Sequence, residues 1–214
     1  MKKGLLLILF IFCFTLNPFS QVIFFSGDIN SNTLWDADTV KITGNVSINS
    51  GATLAIAPGT VISLQGYYRI TVLGAIIACG IENDSIIFTV QDTSLCYLED
   101  TLAGGWDGIH LDSVSETNDS SIFKYCGIYY GKSFNNGGGI YLKYNNKVRF
   151  DHCTFFHNMC HWDGGGMVIE YSDCIIRNCE FYKNNGRAHG GGLCSYGGKP
   201  EFENNLFYMN FTWG

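Results

Sequence analysis

Three glycine triplets, beginning at Gly137, Gly164 and Gly190, recur 27 and 26 residues apart. Eleven positions before each triplet stands a cysteine: Cys126, Cys153 and Cys179. An apolar residue follows each triplet directly, Ile140, Met167 and Leu193. Between cysteine and glycines lie FFHN (Phe155 to Asn158) and FYKN (Phe181 to Asn184), and FYMN (Phe207 to Asn210) follows in step. A degenerate earlier copy is IYYG (Ile128 to Gly131), and GGWDGIHL (Gly104 to Leu111) aligns its Gly108-Ile109 with Gly139-Ile140. Several positions recurring together in phase mark a repeat architecture, in which each unit buries its apolar face only against its neighbours.

Each unit contains short runs of alternating apolar residues separated by turn residues. In one copy Val148 and Phe150 share a face, Asp151 and His152 turn the chain, Cys153 and Phe155 share the next inward face, and Met167 and Ile169 follow the glycines on a third. Period-2 alternation places such residues on one side of a strand. Three short strands per repeat of 26 or 27 residues describe one coil of a parallel β-helix. Coils stacked at ~4.8 Å bring equivalent residues into columns. Phe123, Phe150, Ile176 and Phe202 form one predicted buried column, and Ile128, Phe155, Phe181 and Phe207 another. The glycines then read as corners, where a positive φ or a crowded stack excludes side chains. A phosphate-cradling loop is excluded, because no Lys-Ser or Lys-Thr and no helix signal follows them. Asn158, Asn184 and Asn210 are expected to hydrogen-bond from coil to coil as a ladder.

The N-terminal half alternates too. Val46 and Ile48, Leu54 and Ile56, and Ile70 and Val72 point one way, with turns at Pro58-Gly59, Gly66 and Gly74. Coil length there is shorter, so the whole chain reads as all-β, a single-stranded parallel β-helix of 22–27 residues per coil over residues 45–214. Residues 21–44 are expected to cap the first coil, whose strand edges would otherwise stand open. Val90 to Gly105 breaks the pattern and reads as a loop leaving the coil. In the final copy Asn205 holds the cysteine column, so the next triplet is expected 11 residues on at position 216, and the chain reads as a truncated β-helix.

Residues 1–20 have the form of a secretory signal peptide, with Lys2 and Lys3 ahead of a short apolar run from Leu5 to Leu16. Without them 11 basic residues face 19 acidic ones, a net charge of about −8. Such acidity argues against nucleic acid and anionic membrane surfaces as partners. No later stretch is apolar for long enough to span a bilayer. A secreted or cell-surface location, associated with an outer membrane, is the expectation.

The stretches SGATLAIAPGTVISL (Ser50 to Leu64) and GGWDGIHL resemble secreted right-handed parallel β-helix proteins of the pectate-lyase-like fold, particularly those of Bacteroidota. Phe-x-x-Asn followed by a glycine triplet and Ile, Met or Leu is similar to the repeats of polymorphic outer-membrane-protein adhesins, which usually carry Gly-Gly-Ala-Ile. The resemblance covers residues ~26 to 214 as a repeat pattern. It implies a right-handed helix, and it leaves function open among lyases, hydrolases, adhesins and surface-layer proteins.

A polysaccharide lyase or hydrolase needs paired carboxylates or a Ca²⁺-binding cluster beside a base. Outward candidates are Arg149, Asp151, Asp163, Glu170, Asp173 and Glu180, which do not recur in one column. His189 in AHGGG superficially resembles the histidine of a polygalacturonase Gly-His-Gly, but it fills the slot of Asn136 and Asp163, and the family's other motifs are missing. A zinc site from His157, His161, Cys153 and Cys160 lacks the tight paired spacing such sites show. No catalytic residue, metal ligand or cofactor is therefore assigned. The cysteine column is expected to be reduced, and Cys160, at a corner, to be the most reactive thiol. The outward neighbours of the buried phenylalanines, Tyr129, Phe156, Tyr182 and Tyr208, form an aromatic stripe that would either contact a ligand or stabilise the strands as a surface ladder. The leading expectation is a non-catalytic surface or secreted β-helix for adhesion or carbohydrate contact, with a polysaccharide or a host or cell-surface molecule as partner. The alternatives are the N-terminal part of a polysaccharide lyase or glycoside hydrolase, and a structural stalk.

Overall fold

The computed structural model describes residues 21–98 and 100–212. The signal-peptide reading lies outside those residues. Strands and turns account for the described chain, without a helix among the described residues. All strand pairings between coils are parallel. The chain winds through a 13-stranded, a 7-stranded and a 4-stranded sheet. Every turn of the solenoid lays one strand beside its equivalent in the preceding turn. This is the expected all-β parallel β-helix.

The register confirms the predicted columns, but burial fails at their last members: Phe202 and Phe207 are 48% and 46% exposed, because no further coil stacks on them among the described residues. Phe123 pairs with Phe150, Phe150 with Ile176, and Ile176 with Phe202. Ile128 pairs with Phe155, Phe155 with Phe181, and Phe181 with Phe207. The Phe155 and Phe181 rings stack at 4.3 Å, and the Phe123 and Phe150 rings at 4.9 Å. Each such fully buried side chain contributes roughly 1.5–3 kcal/mol. Alternation follows the sequence: in Val61–Leu64, Ile62 and Leu64 are buried while Val61 and Ser63 are partly exposed.

Two different pressures select the glycines. Gly137, Gly164 and Gly190, the first of each triplet, adopt φ of +66°, +72° and +57°. The second and third sit against the next coil. A Cβ on Gly165 would lie 2.4 Å from the backbone of Asn185 and Gly191, and one on Gly166 would lie 2.4 Å from the Gly192 oxygen. Elsewhere the corners turn on left-handed residues with side chains, stacked as Tyr125, His152, Asn178 and Asn204 and again as Tyr130, His157, Lys183 and Met209.

The segment ahead of the first full coil is built of strands. Val22–Ile29 pairs in parallel with Thr39–Ile48, and Thr33–Trp35 with Thr53–Ile56. They lay a narrow turn over the next one, with Trp35 buried and its ring 5.3 Å from that of Phe25. The ten-residue strand Thr39–Ile48 belongs to two faces, since its first half pairs with Val61–Leu64 and its second with Ile70–Val72. Residues 91–98 and 100–105 leave the coil as a loop, in keeping with their irregular sequence, and Trp106 rejoins it by a parallel bridge to Gly131. The loop is fastened by the buried Lys132, whose ammonium donates to the carbonyls of Leu95, Leu98 and Ala103.

Candidate functional site

The structure brings the four stripe residues together. Tyr129, Phe156, Tyr182 and Tyr208 are register partners on successive strands of one face. Phe156 stacks on Tyr182 at 4.3 Å and Tyr182 on Tyr208 at 5.0 Å, while Tyr129 meets Phe156 edge-on at 5.8 Å. The ring faces therefore cover one another along the helix axis, and Lys183 lies over both Phe156 and Tyr182. The stripe offers solvent its ring edges. Tyr208 donates its hydroxyl to Glu180 at 2.6 Å, which pushes the phenol up to about 12. This is the geometry of a cross-strand ladder, worth roughly 0.2–1 kcal/mol per pair.

The carboxylates and basic residues considered for catalysis form no single cluster among the described residues, although Arg149 and Asp173 share a cleft and the Asn136 side chain bonds both Glu170 and the Asp163 backbone. Asp151 accepts from Asn178 and contacts His152, and against its own desolvation these bonds hold its carboxyl below the ordinary range. Glu170 pairs with Lys143 at 2.9 Å on another face. Arg149 and Asp173 line a cleft of about 330 Å³ with Lys147. Asp163 is shared by His189 at 2.8 Å and the Tyr196 hydroxyl at 2.7 Å. The imagined zinc set disperses as well: His157 stacks on Tyr130, His161 meets Phe134 edge-on, and Cys153 is buried. Among the described residues no group of three or more His, Cys, Asp or Glu is placed to hold a metal ion.

Cys160 corrects one expectation. It lies in the strand Met159–Cys160, 1% exposed, and burial pushes its thiol up to about 12. It is thus inert in the folded state, because the thiolate is the reactive form. Cys126, Cys153 and Cys179 are buried free thiols. The Cys153 thiol donates to the Phe123 carbonyl.

A site missed at the sequence level lies near the N-terminal end. Strand register sets Ile70 beside Ile109 and Thr71 beside His110. The residues entering these strands, Tyr67 and Arg69 in one coil and Asp107 in the next, therefore meet. Trp106 anchors the second segment: it is fully buried, and its indole donates to the Tyr129 carbonyl at 2.7 Å. Gly108 then turns with φ +65°, and the Asp107 amide donates to the Tyr68 carbonyl. Asp107, 9% exposed, is aimed by these two neighbours. Its Oδ2 accepts from Nε of Arg69 at 2.8 Å and from Nη2, and its Oδ1 accepts from the Tyr67 hydroxyl at 3.0 Å.

Electrostatics follows from that clamp. Burial, then the Asp107 charge and hydrogen bond, push the Tyr67 phenol well above its ordinary value, so it stays a donor. Behind the clamp, His110 Nε2 lies 3.9 Å from Asp107 Oδ1 and finds no hydrogen-bond partner among the described residues. Burial and then the Arg69 charge push this imidazole down to about 4, so it is neutral at pH 7. Together with Asp28, Asn45, Ser47 and Thr71 the clamp lines an open cleft of about 410 Å³. It presents fixed hydrogen-bond donors and acceptors. The only signal in the sequence was Asp107 held between a tryptophan and a glycine in GGWDGIHL.

No curated protein and no solved structure gives a significant match to the chain. Residues 28–214 match the family described as right handed beta helix region. With parallel strands stacked coil on coil among the described residues, the chain belongs to the right-handed β-helix family.

Proposed function

We propose that this chain is an exported, non-catalytic β-helix protein that contacts carbohydrate or another molecule of a cell surface. The observation that carries this reading is the repetition of outward chemistry from coil to coil. Tyr144 and Tyr171 stack at 5.3 Å and are 53% and 55% exposed. Trp162 is 60% exposed beside His161, Arg187 and Ala188, around a cleft of about 220 Å³. Aromatic groups of this kind present an apolar body to a partner. Repetition at ~4.8 Å suits a partner that itself repeats, because many weak contacts made together give avidity.

Export is supported by Lys2, Lys3 and the apolar run Leu5 to Leu16. The similarity of the Phe-x-x-Asn and glycine-triplet repeat to outer-membrane adhesins supports a surface location. Among the described residues no helix is long and apolar enough to cross a membrane. The test pairs a glycan array with an absorbance assay for unsaturated lyase products. Saturable binding without turnover is the expected result. Product formation would replace this reading with the polysaccharide lyase alternative.

A further inference from the structure

We propose that the cleft at Tyr67, Arg69 and Asp107 binds an uncharged hexose unit of a polysaccharide and selects against uronates. The proposal rests on the carbohydrate reading above and gives it a place and a ligand class.

Four observations carry it. The cleft, at about 410 Å³, has the size of a small-ligand site and is walled by fixed polar groups. Its centre is pre-organised, since the Trp106 anchor and the Gly108 turn hold Asp107 before any ligand arrives. Pre-organisation spares a ligand the cost of ordering the site. Next, Asp107 is nearly buried while Arg69 keeps 39% of its side chain exposed, so the carboxylate is held in place and the guanidinium faces the open cleft. Nε and Nη2 of Arg69 both donate to Oδ2 of Asp107, so the remaining guanidinium N–H groups and carboxylate lone pairs suit a pair of neighbouring hydroxyl groups, which both donate and accept. Finally, charge decides the class of sugar. Asp28 and Asp107 against Arg69 leave the lining with one net negative charge. His110 behind it is neutral at pH 7 and adds no positive charge. Arg69 is already bound to Asp107, so no cation is left in the lining for a uronate carboxylate. Like charges across a contact disfavour binding.

The experiment measures binding of the full chain to immobilised neutral hexose polymers and to polyuronates. Thr71→Trp fills the cleft from a strand position beside His110 and leaves the clamp residues themselves unsubstituted. Asp28→Asn, at an exposed position, removes one charge from the rim. Tyr182→Ala interrupts the aromatic stripe on the other face. The wild-type chain should bind a neutral polymer and leave the polyuronate. Thr71→Trp, with an unchanged urea midpoint, should weaken binding at least tenfold, whereas Tyr182→Ala should not. Asp28→Asn should narrow the preference for neutral over acidic polymer severalfold, which tests the charge argument even if Thr71→Trp fails to fold. Glycan binding unaffected by a folded Thr71→Trp, or lost in Tyr182→Ala, overturns the site and leaves the carbohydrate reading standing. Preference for the polyuronate overturns the ligand class. Failure of the wild-type chain to bind any glycan overturns both readings.

Discussion

Asn158 donates from Nδ2 to Oδ1 of Asn184, one coil away, at 3.0 Å. Asn184 makes the same bond to Asn210 and gives its other amide hydrogen to the Phe155 carbonyl at 2.8 Å. Its oxygen also accepts from the Asn158 backbone N–H. Fully buried, Asn184 is satisfied on every side. Asn184→Ala should cost at least about 2 kcal/mol, since it strands a buried amide hydrogen and a buried carbonyl. Asn184→Asp should cost more at pH 7, by placing a carboxylate against the Phe155 carbonyl. That buried carboxyl titrates above its unfolded value, so the deficit should shrink as the pH falls and the group protonates. Urea melts at pH 7 and pH 4 check both; a deficit that is constant with pH would refute the account.

The glycine corners predict a contrast between neighbours. Gly165→Val must displace the backbone of Asn185 and Gly191, 2.4 Å from its first side-chain atom. A loss of several kcal/mol, or no folded product, is expected. His189→Asn installs the residue found at Asn136 in the same column and breaks only an exposed contact with Asp163. Its effect should stay within about 0.5 kcal/mol. Equal urea midpoints would sink the corner assignment.

Thiol labelling should divide the cysteines by burial. Cys79, Cys96 and Cys194 are partly exposed, whereas Cys126, Cys153, Cys160, Cys174 and Cys179 are buried. Burial pushes Cys174, like Cys160, up to about 12. Under native conditions a thiol reagent read by peptide mass mapping should modify the first group at least tenfold faster. Rapid native labelling of Cys160 would contradict the structure.

Acid should find His110. Its folded value of about 4 lies below the ordinary 6.5, so the unfolded chain takes up the proton first. Stability from this group is intact above pH 6.5 and falls as the pH drops toward 4, by up to about 3 kcal/mol. His110→Gln should flatten that part of the profile. Parallel pH profiles for variant and wild type in urea would remove His110 as the cause.

The repeat was legible because its signals reinforce one another. Phe155 and Phe181, Asn158 and Asn184, and Gly164 and Gly190 share one spacing, so a single register fits every column. The cleft was not legible because its two halves lie on either side of the irregular loop. Ile70 and Ile109 are coil neighbours 39 residues apart, a spacing that no period predicts. Without that register, Arg69 and Asp107 have no reason to meet. Cys160 was misplaced for a different reason. Its strand is only two residues long, too short for alternation to distinguish an inward side chain from a corner.

The common spacing has a consequence for how such a molecule can change. Thr154 pairs with Glu180, and Phe155 with Phe181, both at a distance of 26 residues. Excising residues 154–179 would put Glu180 in the place of Thr154 with every column still continuous. The molecule would lose one storey of ~4.8 Å and keep its floor plan. Length and cross-section are thus inherited separately: duplication or loss of a single segment sets the first, while point substitution repaints the second one storey at a time.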